Sequence, residues 1–285
     1  MLGIMLVAAS AAVFGLAGVL TKSIHADPLT INCWRGLVGG ALISVYVFWR
    51  RRNSGIAGLP RLGWRGWLLA TIGACASIAF ISAFKNTYVA NVAIIYATAP
   101  FVAALLGWLL LRERVRAQTM LAAVLSLAGV GMMVFAGLGT GRPFGDALAL
   151  VMTCGSALYM VLVRKFRDTP VVWAGAVSGL LLFVFGWLVT DPSAISWRDA
   201  WLLAAFGVSF ALASVLWTEG ARLIPAAEAG LLGSAEVPFA ILFGWLFLTE
   251  FPPPASLIGG GLVLLAVVAH AGRDWLAARR AVALP

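Results

Sequence analysis

Apolar runs about as long as a bilayer is thick recur along this chain, and no other feature restricts its fold so strongly. The clearest covers 91–115, NVAIIYATAPFVAALLGWLLLRERV, with an internal proline and a charged stop at Arg112, Glu113 and Arg114. A helix rises about 1.5 Å per residue, so a run of about twenty apolar residues spans the roughly 30 Å hydrocarbon core. Ten such runs are separated by short polar turns: 2–21, 31–49, 64–84, 91–111, 118–138, 145–163, 171–189, 199–218, 227–248 and 255–271. The chain is 62% hydrophobic and 11% charged, whereas a soluble fold is nearer half apolar. These patterns predict an all-α polytopic membrane protein of ten transmembrane helices, with the lipid bilayer as its solvent. The first run follows Met1 with no Lys or Arg before it, and it is read as a mature helix rather than a signal peptide.

The fourth run is written again later, as EAGLLGSAEVPFAILFGWLFLTE over 228–250. An offset of 137 residues matches Leu105 with Leu242, Gly107 with Gly244, Trp108 with Trp245, Leu111 with Leu248 and Glu113 with Glu250. Trp64 with Trp201 and Ser77 with Ser214 keep the same offset, while Pro100 and Pro238 miss it by one residue. A tandem duplication follows, with one five-helix repeat over 1–140, a second over 141–275 and a short tail over 276–285.

Loops change side with every span, so the 20 Lys and Arg can be sorted by compartment. One side collects Arg50, Arg51, Arg52, Arg61, Arg65, Arg112, Arg114, Arg116, Arg164, Lys165, Arg167, Arg222, Arg273, Arg279 and Arg280. The other holds only Lys22, Lys85, Arg142 and Arg198, and Arg35 lies inside the second run. The positive-inside rule makes the rich side cytoplasmic, and both termini with it. An odd number of helices per repeat sends the second copy in from the opposite face, so the halves form two inverted five-helix repeats. The net charge of +9 is dispersed in short clusters between apolar runs, which is not the basic face that nucleic acid requires.

The plan of ten helices in two fives, with PFVAALLGWLLLRERV echoed by PFAILFGWLFLTE, resembles the drug/metabolite transporter superfamily and its EamA-type domain. Arg35 in CWRGLVGGAL resembles the family's arginine early in the second helix, and Pro100, Gly107, Glu113, Pro238, Gly244 and Glu250 follow its fourth- and ninth-helix pattern. Among such proteins the chain looks most like the bacterial inner-membrane exporters of aromatic amino acids. The resemblance implies a secondary exporter of aromatic or other hydrophobic amino acids, working by alternating access, with another small solute as the alternative. It implies no cofactor and no obligatory protein partner, since one chain carries both repeats and a monomer suffices.

Polar residues in a span are costly, and those at equivalent positions of two repeats point to a shared site. Ser77, Phe80 and Phe84 lie on one face of the third helix, and Ser214 and Trp217 repeat that face in the eighth. Lys85 is paired in register with Arg222, and Asn91 with Glu228. These faces are predicted to line a cavity in which an aromatic substrate stacks on Phe80, Tyr96, Tyr159 or Trp217. Lys85, Asn91 or a helix N-terminus would meet its carboxylate, and Glu228, the counterpart of Asn91 in the second copy, is a further substrate-binding candidate. Glu236, deep in the ninth helix, is the candidate for proton coupling. Pro100 and Pro238 are candidate hinges, because each lacks an amide hydrogen. Arg35 is read as structural, satisfying carbonyls between helices, and Glu113 and Glu250 as helix stops. Gly36-x-x-x-Gly40 and Gly175-x-x-x-Gly179 read as close-packing motifs.

Two histidines, His25 and His270, and three cysteines, Cys33, Cys75 and Cys154, form no metal-spaced or triad-like pattern. No GxxxxGK[ST] phosphate loop is present. A multipass enzyme, a metal site and a nucleotide-driven pump are therefore disfavoured, as is a scaffold, which would need an exposed partner domain.

Overall fold

A computed structural model of the chain describes residues 1–55, 58–112, 117–140, 142–225, 229, 232–251, 254, 257–266, 268–269 and 272. Within them the regular elements are helices. They are α1 (Leu2–Gly15), α2 (Ala17–Ser23), α3 (Pro28–Asn53), α4 (Gly63–Asn86), α5 (Val89–Ala97), α6 (Ala99–Leu111), α7 (Ala117–Thr140), α8 (Pro143–Lys165), α9 (Val171–Val189), α10 (Trp197–Ala221) and α11 (Glu236–Leu248). A further apolar helix, α12, covers Leu257–Ala266. The pairs α1/α2 and α5/α6 are each one membrane span broken once, so ten helical segments occupy the ten expected runs. Seven of them are long and apolar enough to cross a membrane outright, among the described residues.

Local chemistry explains where several helices begin. Asp27 accepts hydrogen bonds from the amides of Leu29 and Thr30 at 2.9 and 3.0 Å, ahead of Pro28 at the first helical position of α3. Ser196 accepts from the Asp199 amide at 3.1 Å and starts α10. Pro143 begins α8 in the same way as Pro28.

Three helix pairs carry the packing: α3 on α9, α4 on α8 and α1 on α10. A β-carbon added to Gly36 would strike the carbonyl oxygen of Gly179, and one added to Gly179 would lie 2.7 Å from the carbonyl oxygen of Gly36. Only glycine on both sides lets these two backbones touch. Gly40 meets the Ala176 carbonyl in the same crossing, whereas Gly175 has nothing within 4 Å, so the second small-residue motif contributes Gly179 alone.

Large apolar side chains outside these contacts face outward in a belt. Trp49, Trp64 and Trp67 are exposed toward one end and Trp187, Trp197 and Trp201 toward the other, as side chains at two membrane interfaces are. Cys33 is buried, while Cys75 and Cys154 lie on the exposed belt rather than filling the interior.

Two breaks interrupt the spans at corresponding places. Pro100 has no amide hydrogen to give to the turn before it, and the chain bends at Thr98, whose amide and hydroxyl both donate to the Ile95 carbonyl at 3.1 and 2.7 Å. In the ninth span α11 starts after Ala235, which is Thr98 shifted by the offset of 137, and the Ala235 amide donates to the Leu232 carbonyl at 3.1 Å. Arg112 and Thr249, also one offset apart, are the non-glycine residues with positive φ among the described residues, at 55° and 52°. The break at Leu16 in the first span has no proline to explain it; there Gly15 presses its backbone against Phe239 and Ala240 of α11.

Candidate functional site

Glu236 sits at the start of α11, just past the break, and faces a small cavity with Phe14, Phe80, Phe84, Tyr96, Val92 and Ala240. Four helices supply this wall: α1, α4, α5 and α11. Its volume is about 10 Å³, room for about one water molecule. Phe80 and Phe84 meet edge to face with centroids 4.7 Å apart. Among the described residues, no hydrogen bond or ion pair is made by the Glu236 carboxylate. Three of the expected aromatic residues, Phe80, Phe84 and Tyr96, thus come together around the expected coupling residue.

The remaining expected residues are placed elsewhere. Tyr159 lines a second, larger cavity of about 450 Å³ with Pro100, Ala103, Ala104, Val163 and Arg164. It lies between α6 and α8, reaches Val171 at the start of α9, and shares no lining residue with the first cavity. Ser77 donates to Asn32 Oδ1 at 2.7 Å and accepts a hydrogen bond from Arg35. Ser214, its counterpart, bonds only within its own helix, to the Phe210 carbonyl at 2.8 Å. Trp217 packs its ring over Gly233, just before the second break. Lys85 donates to the Ile24 carbonyl. Glu228 and Glu113 lie outside the described residues.

Asn91 is 2% exposed and gives its amide to Asp146 Oδ1 at 3.2 Å, while Thr87 donates to the same oxygen at 2.7 Å. This buried cluster ties α5 to the start of α8. It belongs to a set of polar contacts closing the end of the bundle opposite the arginine-rich one. Lys22 pairs with Glu250, whose second oxygen accepts from the Val89 amide at 3.0 Å, so one carboxylate joins α2, α5 and the end of α11. The His25 amide donates to Asp199 at 3.1 Å, joining the first turn to α10. Glu250 is therefore more than a helix stop.

At the arginine-rich end Glu219 of α10 accepts from Tyr46 and from Arg50 at 3.0 Å, both on α3, and Arg222 bonds it at 3.0 Å. These contacts join α3 to α10, so both ends of the bundle carry polar ties between helices.

Arg35 differs from the sequence-based reading. It bonds side chains, not carbonyls: Ser77 Oγ and, at 3.5 Å, Asn32 Oδ1. Its guanidinium stands over the rings of Phe206 and Phe210, 5.1 and 4.8 Å from their centroids. Asn32 precedes Arg35 by one helical turn, a spacing that could have drawn attention to it in the sequence. Lys22, Glu250 and Asp146 left no such signal, because their partners are far along the chain.

Comparison with known proteins finds the model of the EamA-like transporter family twice, over residues 1–135 and again over 143–270. The chain is similar to the uncharacterized transporter YwfM of Bacillus subtilis, 27% identical over 85% of this chain and 84% of that one. It is similar also to the pseudopaline exporter CntI of Pseudomonas aeruginosa, 25% identical over 94% of this chain and 95% of that one. A solved crystal structure superposes with a TM-score of 0.65, covering 93% of this chain and 96% of that one at 19% identity, a likeness of fold.

Proposed function

This chain belongs to the EamA-like transporter family, and we propose that it is a secondary exporter carrying aromatic or other hydrophobic amino acids out of the cytoplasm across the bacterial inner membrane. Family membership points to a transporter rather than an enzyme. The observation that carries this reading is the aromatic cavity around Glu236, walled by Phe14, Phe80, Phe84 and Tyr96, in a chain both of whose halves match the family. The positive-inside rule makes the arginine-rich end cytoplasmic, with both termini beside it.

The alternating-access mechanism rests on two inverted repeats. In support, the breaks at Thr98 and Ala235, and the left-handed caps at Arg112 and Thr249, recur at one offset. A site with room for one water must widen to admit a substrate, and the breaks are the places where α6 and α11 can swing. Pro100→Ala restores an amide hydrogen and stiffens the first break. Its expected result is slower transport by about tenfold, the cost of about 1.4 kcal/mol in the closing step, at unchanged expression. Wild-type rates in reconstituted vesicles would remove the hinge role.

A panel of radiolabelled amino acids, offered to vesicles with and without a proton gradient, tests the substrate class. Accumulation of phenylalanine, tyrosine, tryptophan or leucine above that of charged amino acids is the expected result. Accumulation of none would favour a second reading, a different small metabolite, to which similarity with an exporter of pseudopaline lends weight.

A further inference from the structure

We infer that Arg35 binds the carboxylate of the transported substrate, an inference that rests on the amino-acid reading above. Arg35 is 6% exposed and lies seven residues inside α3, about 10 Å below its start at a rise of about 1.5 Å per residue. A guanidinium at such depth needs an anion, because a buried charge without a counter-ion costs several kcal/mol. None of the described carboxylates supplies one. Asp27 caps α3, Asp146 holds Thr87 and Asn91, Asp199 holds His25, Glu219 holds Tyr46 and Arg50, Glu250 holds Lys22, Asp168 and Asp191 are exposed, and Glu236 faces its own cavity with no ion pair to Arg35.

What Arg35 does have is neutral. Ser77 and Asn32 both accept from the same terminal nitrogen and orient the plane, and two phenyl faces add cation–π attraction. The Nε hydrogen has no partner. A planar fork, held in place through one terminal nitrogen with its charge unanswered and its Nε hydrogen free, is the arrangement that a carboxylate completes.

The position joins this group to the cavity described above. Phe206, under the guanidinium, packs in one cluster with Phe80, a cavity-wall residue. Phe210, on the same guanidinium, meets Phe14 of the cavity wall edge-on at 6.3 Å. Two aromatic rings in succession, Phe210 and then Phe14 of the cavity wall, therefore lie between Arg35 and the site. When the cavity widens and those rings turn, an aromatic substrate would take their place against the wall, with its carboxylate on Arg35.

The test is equilibrium binding to the purified protein in detergent, using phenylalanine, phenethylamine, which lacks the carboxylate, and phenylpropionate, which lacks the ammonium. A hydrogen-bonded charge contact is worth about 1.5–3 kcal/mol, so phenethylamine should bind the wild type at least about tenfold more weakly than phenylalanine. R35Q should lose a similar factor for phenylalanine and phenylpropionate and none for phenethylamine. R35K, which keeps the charge without the fork, should recover part of that loss. Equal binding of phenylalanine and phenethylamine by the wild type would overturn the inference without any variant, so it stands exposed even if R35Q fails to fold. A monodisperse R35Q that binds all three as the wild type does would overturn it too. Wild type that binds none of the three would instead overturn the amino-acid reading, and this inference with it.

Discussion

Glu236→Gln is expected to abolish the response of transport to a proton gradient while leaving exchange of substrate between equal pools intact. The carboxyl faces a cavity of about 10 Å³ among phenyl and phenol rings, with no ion-pair partner among the described residues. In so apolar a place the neutral acid is the form that needs no counter-ion, and a proton taken there from one side can be released to the other when access switches. Glutamine has the size and polarity of that neutral acid and cannot release a proton. One pH unit corresponds to about 1.4 kcal/mol per proton, so one-for-one coupling sustains about a tenfold substrate ratio across the membrane. In the variant the ratio should fall to one. A tenfold ratio that persists in E236Q vesicles would remove Glu236 from the coupling step.

The second large effect concerns folding. Gly36→Leu should collapse the yield of folded protein, because its β-carbon alone already overlaps the Gly179 carbonyl. No rotamer relieves a clash with backbone, so α3 and α9 must part along the crossing on which the bundle centres. Overpacking a well-fitted contact costs about 1–3 kcal/mol even when side chains can adjust, and here the loss should reach or exceed about 3 kcal/mol. Gly175→Ala, on α9 but with nothing within 4 Å of its added carbon, should change stability by less than about 0.5 kcal/mol. Thermal unfolding in detergent, followed by size-exclusion chromatography, separates the two. A Gly36→Leu protein that melts with the wild type would refute the account of the crossing.

The candidate residues divide by how far their meaning travels along the chain. Phe80 and Phe84 stand out because a helical face is a local pattern, and Glu236 because a carboxyl in an apolar run is conspicuous wherever it stands. Asn91 was equally conspicuous, yet its amide serves Asp146 on α8, 55 residues away. Glu250 read as a charged stop because the residue that answers it, Lys22, is 228 residues distant. Arg35 read as structural, and its neutral surroundings became visible only once α4 and α10 were folded against it.

By itself the sequence determined the ten apolar runs, the doubling at an offset of 137 and the Trp-marked margins. Span length, helix caps and repeats are properties of neighbouring residues and of residue counts, which folding does not alter. The tertiary structure alone decided which helices the polar contacts tie together, which charges find an opposite charge and which, like Arg35 and Glu236, find none among the described residues. Those outcomes depend on how each helix is rotated about its axis and how closely the backbones approach. A glycine pair at one crossing sets the approach for α3 and α9, and no local pattern encodes which partner it brings into reach.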